Sequence, residues 1–431
     1  MTSHLPRFLQ RIADRNILRI YAASFALGLA YGIALSLIAL YLDARGFDKQ
    51  AIGSLAAWFA CGLASFAWPM GALIRRFSAK LALVVSLTGY GLSVAALPLL
   101  DTFEALALAR FIDGACSVGV WISCETVLLS RAATNQRAFV TSLYAITLSF
   151  GYVAGPVCAR ALVAVAPLSV AFFVASGIAL ATAVYVLVRL EGGGGATHAV
   201  NDAEDAASTA PVKLGTILSR IKTSCFGTFA YGYFQASVVL FLPLFLMESK
   251  GIAKEQTIIL PAFFALGMLL FSSSAGRLGD RFGHLLTMRV LSVIGATMIA
   301  SFVLLGSFVA MCIAVFVAGA SLASISPLSL ALQGVVTERG NISRATAVYN
   351  AFYAAGMLVG PPLSSRIFAA WGGGAMLLHL AALWVTFFVF AWIFRKDDPA
   401  ARHIALPIVA GVEAPLALER APFADNGTAQ P

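Results

Sequence analysis

Long apolar runs alternate with short polar gaps along almost the whole chain. They fall at about 17–42, 50–74, 81–100, 105–130, 138–163 and 169–189, then at about 223–247, 256–276, 285–306, 308–334, 345–370 and 375–394. An α-helix rises 1.5 Å per residue, so about 20 residues cross the hydrocarbon of a bilayer. Each run reaches that length. The pattern predicts an all-α polytopic membrane protein with twelve transmembrane helices. An even number of spans puts both termini on one side.

Composition supports this reading. Hydrophobic residues make up 60% of the chain and charged residues 11%, against about 25% charged in soluble domains. Lipid solvates apolar side chains that no soluble core of this size could hide. The net charge of +9 does not call for nucleic acid, because the basic residues punctuate the gaps rather than forming one patch. One side collects Arg75, Arg76, Lys80, Arg131, Arg137, Arg189, Lys213, Arg220, Lys222, Arg277, Arg281 and others. The other keeps Arg45, Lys49, Lys250 and Lys254, with Arg160 and Arg366 near helix ends. Basic residues concentrate on the cytoplasmic side, so both termini are expected there. Arg7, Arg11, Arg15 and Arg19 recur every four residues. They form either an interfacial basic stripe or a plain positive-inside flank. The six cysteines lie inside apolar runs without ligand spacing and read as small core residues.

The chain divides into a short cytoplasmic segment (1–16), a six-helix bundle (17–189), a cytoplasmic linker (190–222), a second six-helix bundle (223–394) and a cytoplasmic tail (395–431). The linker carries Gly192 to Gly195 and the acidic Asp202, Glu204 and Asp205, a flexible polar tether. The two bundles look duplicated. Gly46 pairs with Gly251, Gly71 with Gly276, Arg76 with Arg281, Gly114 with Gly319 and Tyr144 with Tyr349, all at one offset of 205. Gly151, Gly155 and Pro156 pair with Gly356, Gly360 and Pro361 at the same offset. Six spans per half make the repeats parallel, facing each other across a central cavity.

The stretch Gly276-Arg277-Leu278-Gly279-Asp280-Arg281-Phe282-Gly283-His284 reads as a tight loop between two spans. It resembles the signature of the major facilitator superfamily, in which Gly276, Asp280, Arg281 and Gly283 stand at the recurring positions. The copy at Gly71 to Ser78 has Arg75 for the acid and Ser78 for the second glycine. Arg110, Asp113, Gly114 and Gly119, continued by Trp121 to Glu125, are similar to the fourth-helix pattern of a bacterial subgroup of that superfamily. Gly151-Tyr152-Val153-Ala154-Gly155-Pro156 is similar to the fifth-helix element of drug–proton antiporters. It equally suits close helix packing and bending, as do Gly356, Gly360 and Pro361. The resemblance implies a secondary transporter of the bacterial inner membrane, monomeric and without cofactor. It also implies that Asp280 latches the cytoplasmic side shut against the start of the fifth helix, near Arg137.

Arg110, Asp113 and Glu125 are the costliest residues, since charges inside a span must be paired or face water. At 100° per residue Arg110 and Trp121 lie within about 20° of each other, with Asp113 and Glu125 to either side. Two readings stay open. Arg110–Asp113 is a structural ion pair, or Asp113 or Glu125 accepts a coupling proton while Arg110 tunes it or binds an anionic group. Tyr31, Tyr144, Tyr231, Gln235, Gln333 and Asn350 are candidates for the cavity wall; interhelical hydrogen bonds would also explain each of them. His379 reads as a packed residue. No catalytic or metal-ligating set and no phosphate-binding loop followed by Lys-Ser/Thr is present, so an enzyme or an ATP-driven pump is not expected. The sequence points to a proton-coupled transporter of a small neutral or amphiphilic solute, with export one of two directions left open. A uniporter and a receptor on a transporter fold remain the alternatives.

Overall fold

The computed structural model describes residues 14–132, 137–191, 214–338 and 341–399. Arg7 and Arg11 of the basic stripe, the linker at 192–213 and the tail beyond 399 lie outside the described residues, as does the side chain of Arg137.

The described chain is helical throughout. The helices are α1 (Arg15–Ala44), α2 (Lys49–Phe77), α3 (Ala79–Ala96), α4 (Phe103–Arg131), α5 (Arg137–Val163), α6 (Leu168–Arg189), α7 (Leu214–Lys250), α8 (Leu260–Phe282), α9 (His284–Ser301), α10 (Phe308–Val336) and α11 (Ile342–Ile393). Among the described residues eleven helices are long and apolar enough to cross a membrane. The sequence pattern called for twelve. The difference lies in α11, a 52-residue element whose helical geometry breaks at Gly372, with φ of 82°. The backbone there leaves the right-handed region, a kink that divides the element into two helical stretches.

Other boundaries also move. Leu214 to Lys222 belongs to α7, not to the linker, because Ile217 and Ile221 pack with Cys225 and Ala345 in a small separate core. The tail begins with structure too. A 3-10 turn spans Arg395–Asp397, Lys222 Nζ sits 2.6 Å from Asp397, and the Leu285 amide donates to Asp398 at 2.8 Å. Across the first bundle, Glu191 accepts from Arg19 at 3.0 Å and from Asn16 at 3.3 Å, and Arg131 donates to its carbonyl at 2.9 Å. These hydrogen bonds, Arg19 foremost, hold the Glu191 carboxyl below its usual range. Any stabilisation from this exposed tie is therefore present at neutral pH and fades as pH falls through that lowered value.

The signature stretch is not a loop. α8 continues through Phe282 and α9 starts at His284, so Gly283 alone makes the turn, with φ of 96°. Ser78 makes the same turn between α2 and α3, with φ of 127°. It is the one non-glycine residue of positive φ among the described residues. Its hydroxyl accepts from the Leu81 amide at 3.2 Å, a cap that partly offsets the left-handed strain.

α1 packs on α5, α2 on α4, α7 on α11 and α8 on α10, and these contacts are glycine crossings. A Cβ at Gly114 would stand 1.9 Å from the Phe59 carbonyl oxygen, and one at Gly319 would stand 2.1 Å from that of Phe264. Gly151 lies against Phe25 and Leu29, and Gly155 against Gly32. Gly356 lies against Phe229, and Gly360 against Tyr233. Lipid offers no hydrophobic drive for helix association, so this backbone proximity supplies the packing.

Two substitutions test this account by melting of the purified protein in detergent. Gly114→Ala forces α2 and α4 apart and is expected to cost about 1–3 kcal/mol, while Gly177→Ala, with open space around its Cβ, is expected to be neutral or slightly stabilising. Ser78→Gly relieves the strained turn and is expected to raise the melting temperature, by the equivalent of about 1 kcal/mol.

Candidate functional site

α1, α2, α4, α5, α7, α8, α10 and α11 enclose a cavity of about 520 Å³. Its wall is dominated by rings and aliphatic chains. Tyr31 is at its centre, with ring centroids 6.3 Å from Phe59, 6.2 Å from Trp121 and 5.6 Å from Tyr152, the last edge-on. Across from them stand Tyr231, Phe234, Phe264, Met268, Tyr353 and Met357. Arg110 and Glu125 are the two charged residues of the wall.

Those two charges have different surroundings. Arg110 is buried and ion-paired with Asp113, which is 2% exposed. Ser117 donates to the second Asp113 oxygen at 3.4 Å. The guanidinium carbon lies 4.5 Å from the Phe59 ring centroid, a cation–π contact. Pro-free backbone keeps α4 straight through this region, and its i, i+3 spacing brings the pair together. Glu125, three to four turns further on, is exposed and has no ion-pair partner among the described residues. It stands one turn from Trp121, on the same cavity-facing side of α4.

The cavity is sealed at one end. Leu240, Leu242, Leu260 and Phe302 close it and are buried. Beyond them Lys49 of α2 reaches Asp43 at 2.6 Å and Glu248 of α7 at 2.5 Å, tying the two bundles together. A Cβ at Gly53 would stand 2.7 Å from both the Pro361 carbonyl oxygen and the Ser365 hydroxyl of α11, so the bundles meet closely there. Toward the opposite end, which carries the basic turns, Glu125, Leu330 and Asn350 line the cavity and are exposed. The cavity opens on that side.

Most sequence candidates fall on this wall. Tyr31, Tyr144, Tyr231, Gln235 and Asn350 line it, and Gln235 accepts from the Tyr353 hydroxyl at 3.0 Å. Gln333 does not. It is 1% exposed, and at the end of α10 it accepts from Thr346 of α11 at 3.4 Å, where the two helices pack together beyond the wall. His379 is remote from the cavity and shares a 2.7 Å hydrogen bond with Tyr233. Pro156 lines the cavity, while Gly151, Gly155, Gly356 and Gly360 serve the helix crossings. Gly71 and Gly276 make no close contact with another element, and Arg76 and Arg281 lie over the neighbouring Phe77 and Phe282 rings at 5.3 and 5.0 Å. Asp280 has an exposed side chain, its carboxylate 3.4 Å from His284 of the next turn. The expected contact with the start of α5, near Arg137, falls on side chains outside the described residues. Tyr152, Phe234, Phe264, Met268 and Met357 were not singled out by sequence. The spacing of Phe59 and Phe264 at the repeat offset was the one signal that could have marked a pair of them.

Comparison with known proteins agrees with this architecture. The model of the Major Facilitator Superfamily matches residues 20–222 and 224–424. The chain belongs to that superfamily of membrane transporters. It is 21% identical over 391 residues to the uncharacterized MFS-type transporter YcaD of Escherichia coli O45:K1 (strain S88), a match covering 91% of this chain and 98% of the relative. A similar match, 21% over 386 residues, joins 89% of it to 96% of the MFS-type transporter Ent638_1421 of Enterobacter sp. (strain 638). Its fold is that of a bacterial homolog to the human lysosomal transporter Spinster in the inward-facing and occupied conformation, with a TM-score of 0.71, 13% identity and coverage of 89% and 97%. The nucleoside transporter NupG superposes with a TM-score of 0.72, 14% identity and coverage of 89% and 99%. The protein is thus a multi-pass membrane protein whose family and relatives are transporters rather than enzymes.

The buried pair makes a test of its own. Breaking it by Asp113→Asn leaves the guanidinium uncompensated and is expected to cost roughly 3–5 kcal/mol. Arg110→Met together with Asp113→Leu removes both charges and is expected to melt closer to the native chain than Asp113→Asn alone. Thermal melting in detergent reads both.

Proposed function

We propose that the chain is a proton-coupled secondary transporter that moves a small neutral or amphiphilic solute by alternating access, in the direction of export. One observation carries this reading: a largely apolar cavity between two bundles, sealed at one end and open at the other. Such a cavity alternates its access if the bundles rock, with the solute held near mid-membrane.

The chain crosses the membrane twelve times in this reading. Gly372 splits α11 into two spans, because 52 residues of helix would extend about 78 Å, more than twice the hydrocarbon thickness. The bundles, at 17–189 and 223–394, are parallel repeats. Support comes from paired contacts at one offset: Gly114 on Phe59 and Gly319 on Phe264, Gly62 on Phe111 and Gly267 on Phe316. The two family-model matches begin at residues 20 and 224, a spacing one short of that offset. Both termini, the linker and the basic turns are cytoplasmic in the inner membrane, and the chain acts as a monomer. The present conformation is then inward-open, with Lys49–Glu248 as the outer latch. Asp280 latches the opposite state.

Glu125 carries the coupling proton, and Arg110–Asp113 is structural. The exposed carboxylate on the cavity wall, with no ion-pair partner among the described residues, favours Glu125 over the sealed Asp113. Measuring proton release on ligand addition to purified protein tests the assignment. Wild type is expected to release protons, Glu125→Gln to lose the signal, and release unchanged in that variant would overturn it. A ligand that binds wild type with no proton signal would favour a uniporter or a receptor. The gate is tested separately. Lys49→Gln is expected to raise labelling of a Gln235→Cys reporter by a membrane-impermeant thiol reagent from outside, in a chain freed of its native cysteines.

A further inference from the structure

Away from the cavity, the ends of α9 and α11 bring two arginines to one ring. The Trp392 ring centroid lies 5.2 Å from the guanidinium carbon of Arg289 and 5.9 Å from that of Arg395. Trp392 is half exposed, one residue short of the end of α11. An indole at such a place marks the boundary between hydrocarbon and headgroups. Arg289 reaches the ring from the second turn of α9.

Neither guanidinium has a hydrogen bond or an ion pair to another described residue, and the buried Nε of Arg289 has no hydrogen-bond partner among them. The acids of this region are engaged elsewhere. Asp397 is paired with Lys222 at 2.6 Å, and Asp398 accepts from the Leu285 amide at the start of α9 at 2.8 Å. Arg289 is subject to the repulsion of Arg395 as well as to the attraction of Asp398. Two like charges held at one ring gain most from an anion that accepts from both. A phosphodiester has one free oxygen for each.

The surface leading from this point into the membrane is apolar. Val290 and Val293 on α9, and Val385 and Val389 on α11, are each about half exposed. Val385, Val389 and Trp392 recur at i, i+4 and i+7, which makes one strip along α11. Helix α9 packs beside it. A soluble anion gains nothing from such a strip, whereas a lipid covers it with acyl chains while its phosphate meets the arginines. A zwitterionic headgroup would bring a cation of its own to the two guanidiniums, so an anionic headgroup fits better.

We infer that the α9–α11 face binds an anionic phospholipid, its phosphodiester held between Arg289 and Arg395 beside Trp392. The bound lipid joins α9 to the turn that follows α11. This site is independent of what the cavity carries and of the carboxylate that couples it.

Melting of the purified full-length protein, stripped of lipid in detergent, tests this during titration with phosphatidylglycerol. Phosphatidylcholine of the same acyl chains and inorganic phosphate are titrated separately. Wild type is expected to gain a saturable rise in melting temperature from phosphatidylglycerol alone. Arg289→Gln is expected to raise the half-saturating lipid concentration about tenfold and Arg395→Gln severalfold. Arg289→Lys keeps the charge but loses the planar fork, and is expected to fall between Arg289→Gln and wild type. Arg220→Gln is expected to leave the titration unchanged, since Arg220 is an exposed basic residue of another helix, paired with Glu338 at 2.6 Å. A variant that melts at the wild-type temperature without lipid is folded. If Arg289→Gln is not folded, the exposed Arg395→Gln decides. Equal stabilisation by phosphatidylcholine would overturn the inference, and so would wild-type half-saturation in folded Arg289→Gln and Arg395→Gln proteins. Stabilisation by inorganic phosphate equal to that by the lipid would assign the arginines to a soluble anion instead. An equal loss in Arg220→Gln would reduce the effect to general surface charge, and with it the site.

Discussion

Everything in this fold depends on how closely its helices approach one another. In lipid the apolar surface of a helix gains little by leaving its surroundings, so association rests on contact between backbones. Gly114 on Phe59, Gly151 on Leu29, Gly319 on Phe264 and Gly356 on Phe229 provide that contact. Each joins two helices of the same bundle. Between the bundles one close approach lies at the sealed end, where Gly53 meets Pro361 and Lys49 reaches Glu248. Tight packing within bundles and sparse packing between them leaves space in the middle, and that space is the cavity.

α4 shows how one helix can serve both needs. Its Arg110 and Asp113 satisfy each other, so Asp113 can be buried behind the wall and Arg110 can line it without an unpaired charge. Three to four turns away Glu125 is left bare toward the cavity. A charge left unpaired inside a membrane protein is expensive unless water or a ligand reaches it. The opening of the cavity on that side supplies water. In the proposed transport cycle a proton on Glu125 would accompany closure of that side.

The two turns with positive φ meet one geometric demand with different residues. Gly283 and Ser78 both carry the chain from one antiparallel helix into the next with no intervening residues. The backbone there demands a left-handed residue whatever the sequence offers. Glycine meets the demand freely; serine meets it with strain and a capping hydroxyl. Arg76 and Arg281 keep equivalent positions over the adjoining phenylalanine rings, although the acid Asp280 has no counterpart at Arg75.

By itself the sequence determined the class of the protein, because hydropathy and basic gaps are local properties that a bilayer reads segment by segment. It also located the Arg110–Asp113 pair at i, i+3 and most of the wall, since helical periodicity fixes which neighbours share a face. What it could not decide was anything set by a partner helix. Gln333 and Asn350 are both polar residues in long spans, yet only Asn350 reaches the cavity, because α11 packs over Gln333. Asp113 and Glu125 were equal candidates until the fold sealed one and exposed the other. The signature stretch read as a loop because its glycines are helix breakers in isolation, while its packed neighbours keep it helical as far as Gly283. Which end is closed rests on Lys49 and Glu248, 199 positions apart in the chain, and tertiary structure alone brings them together.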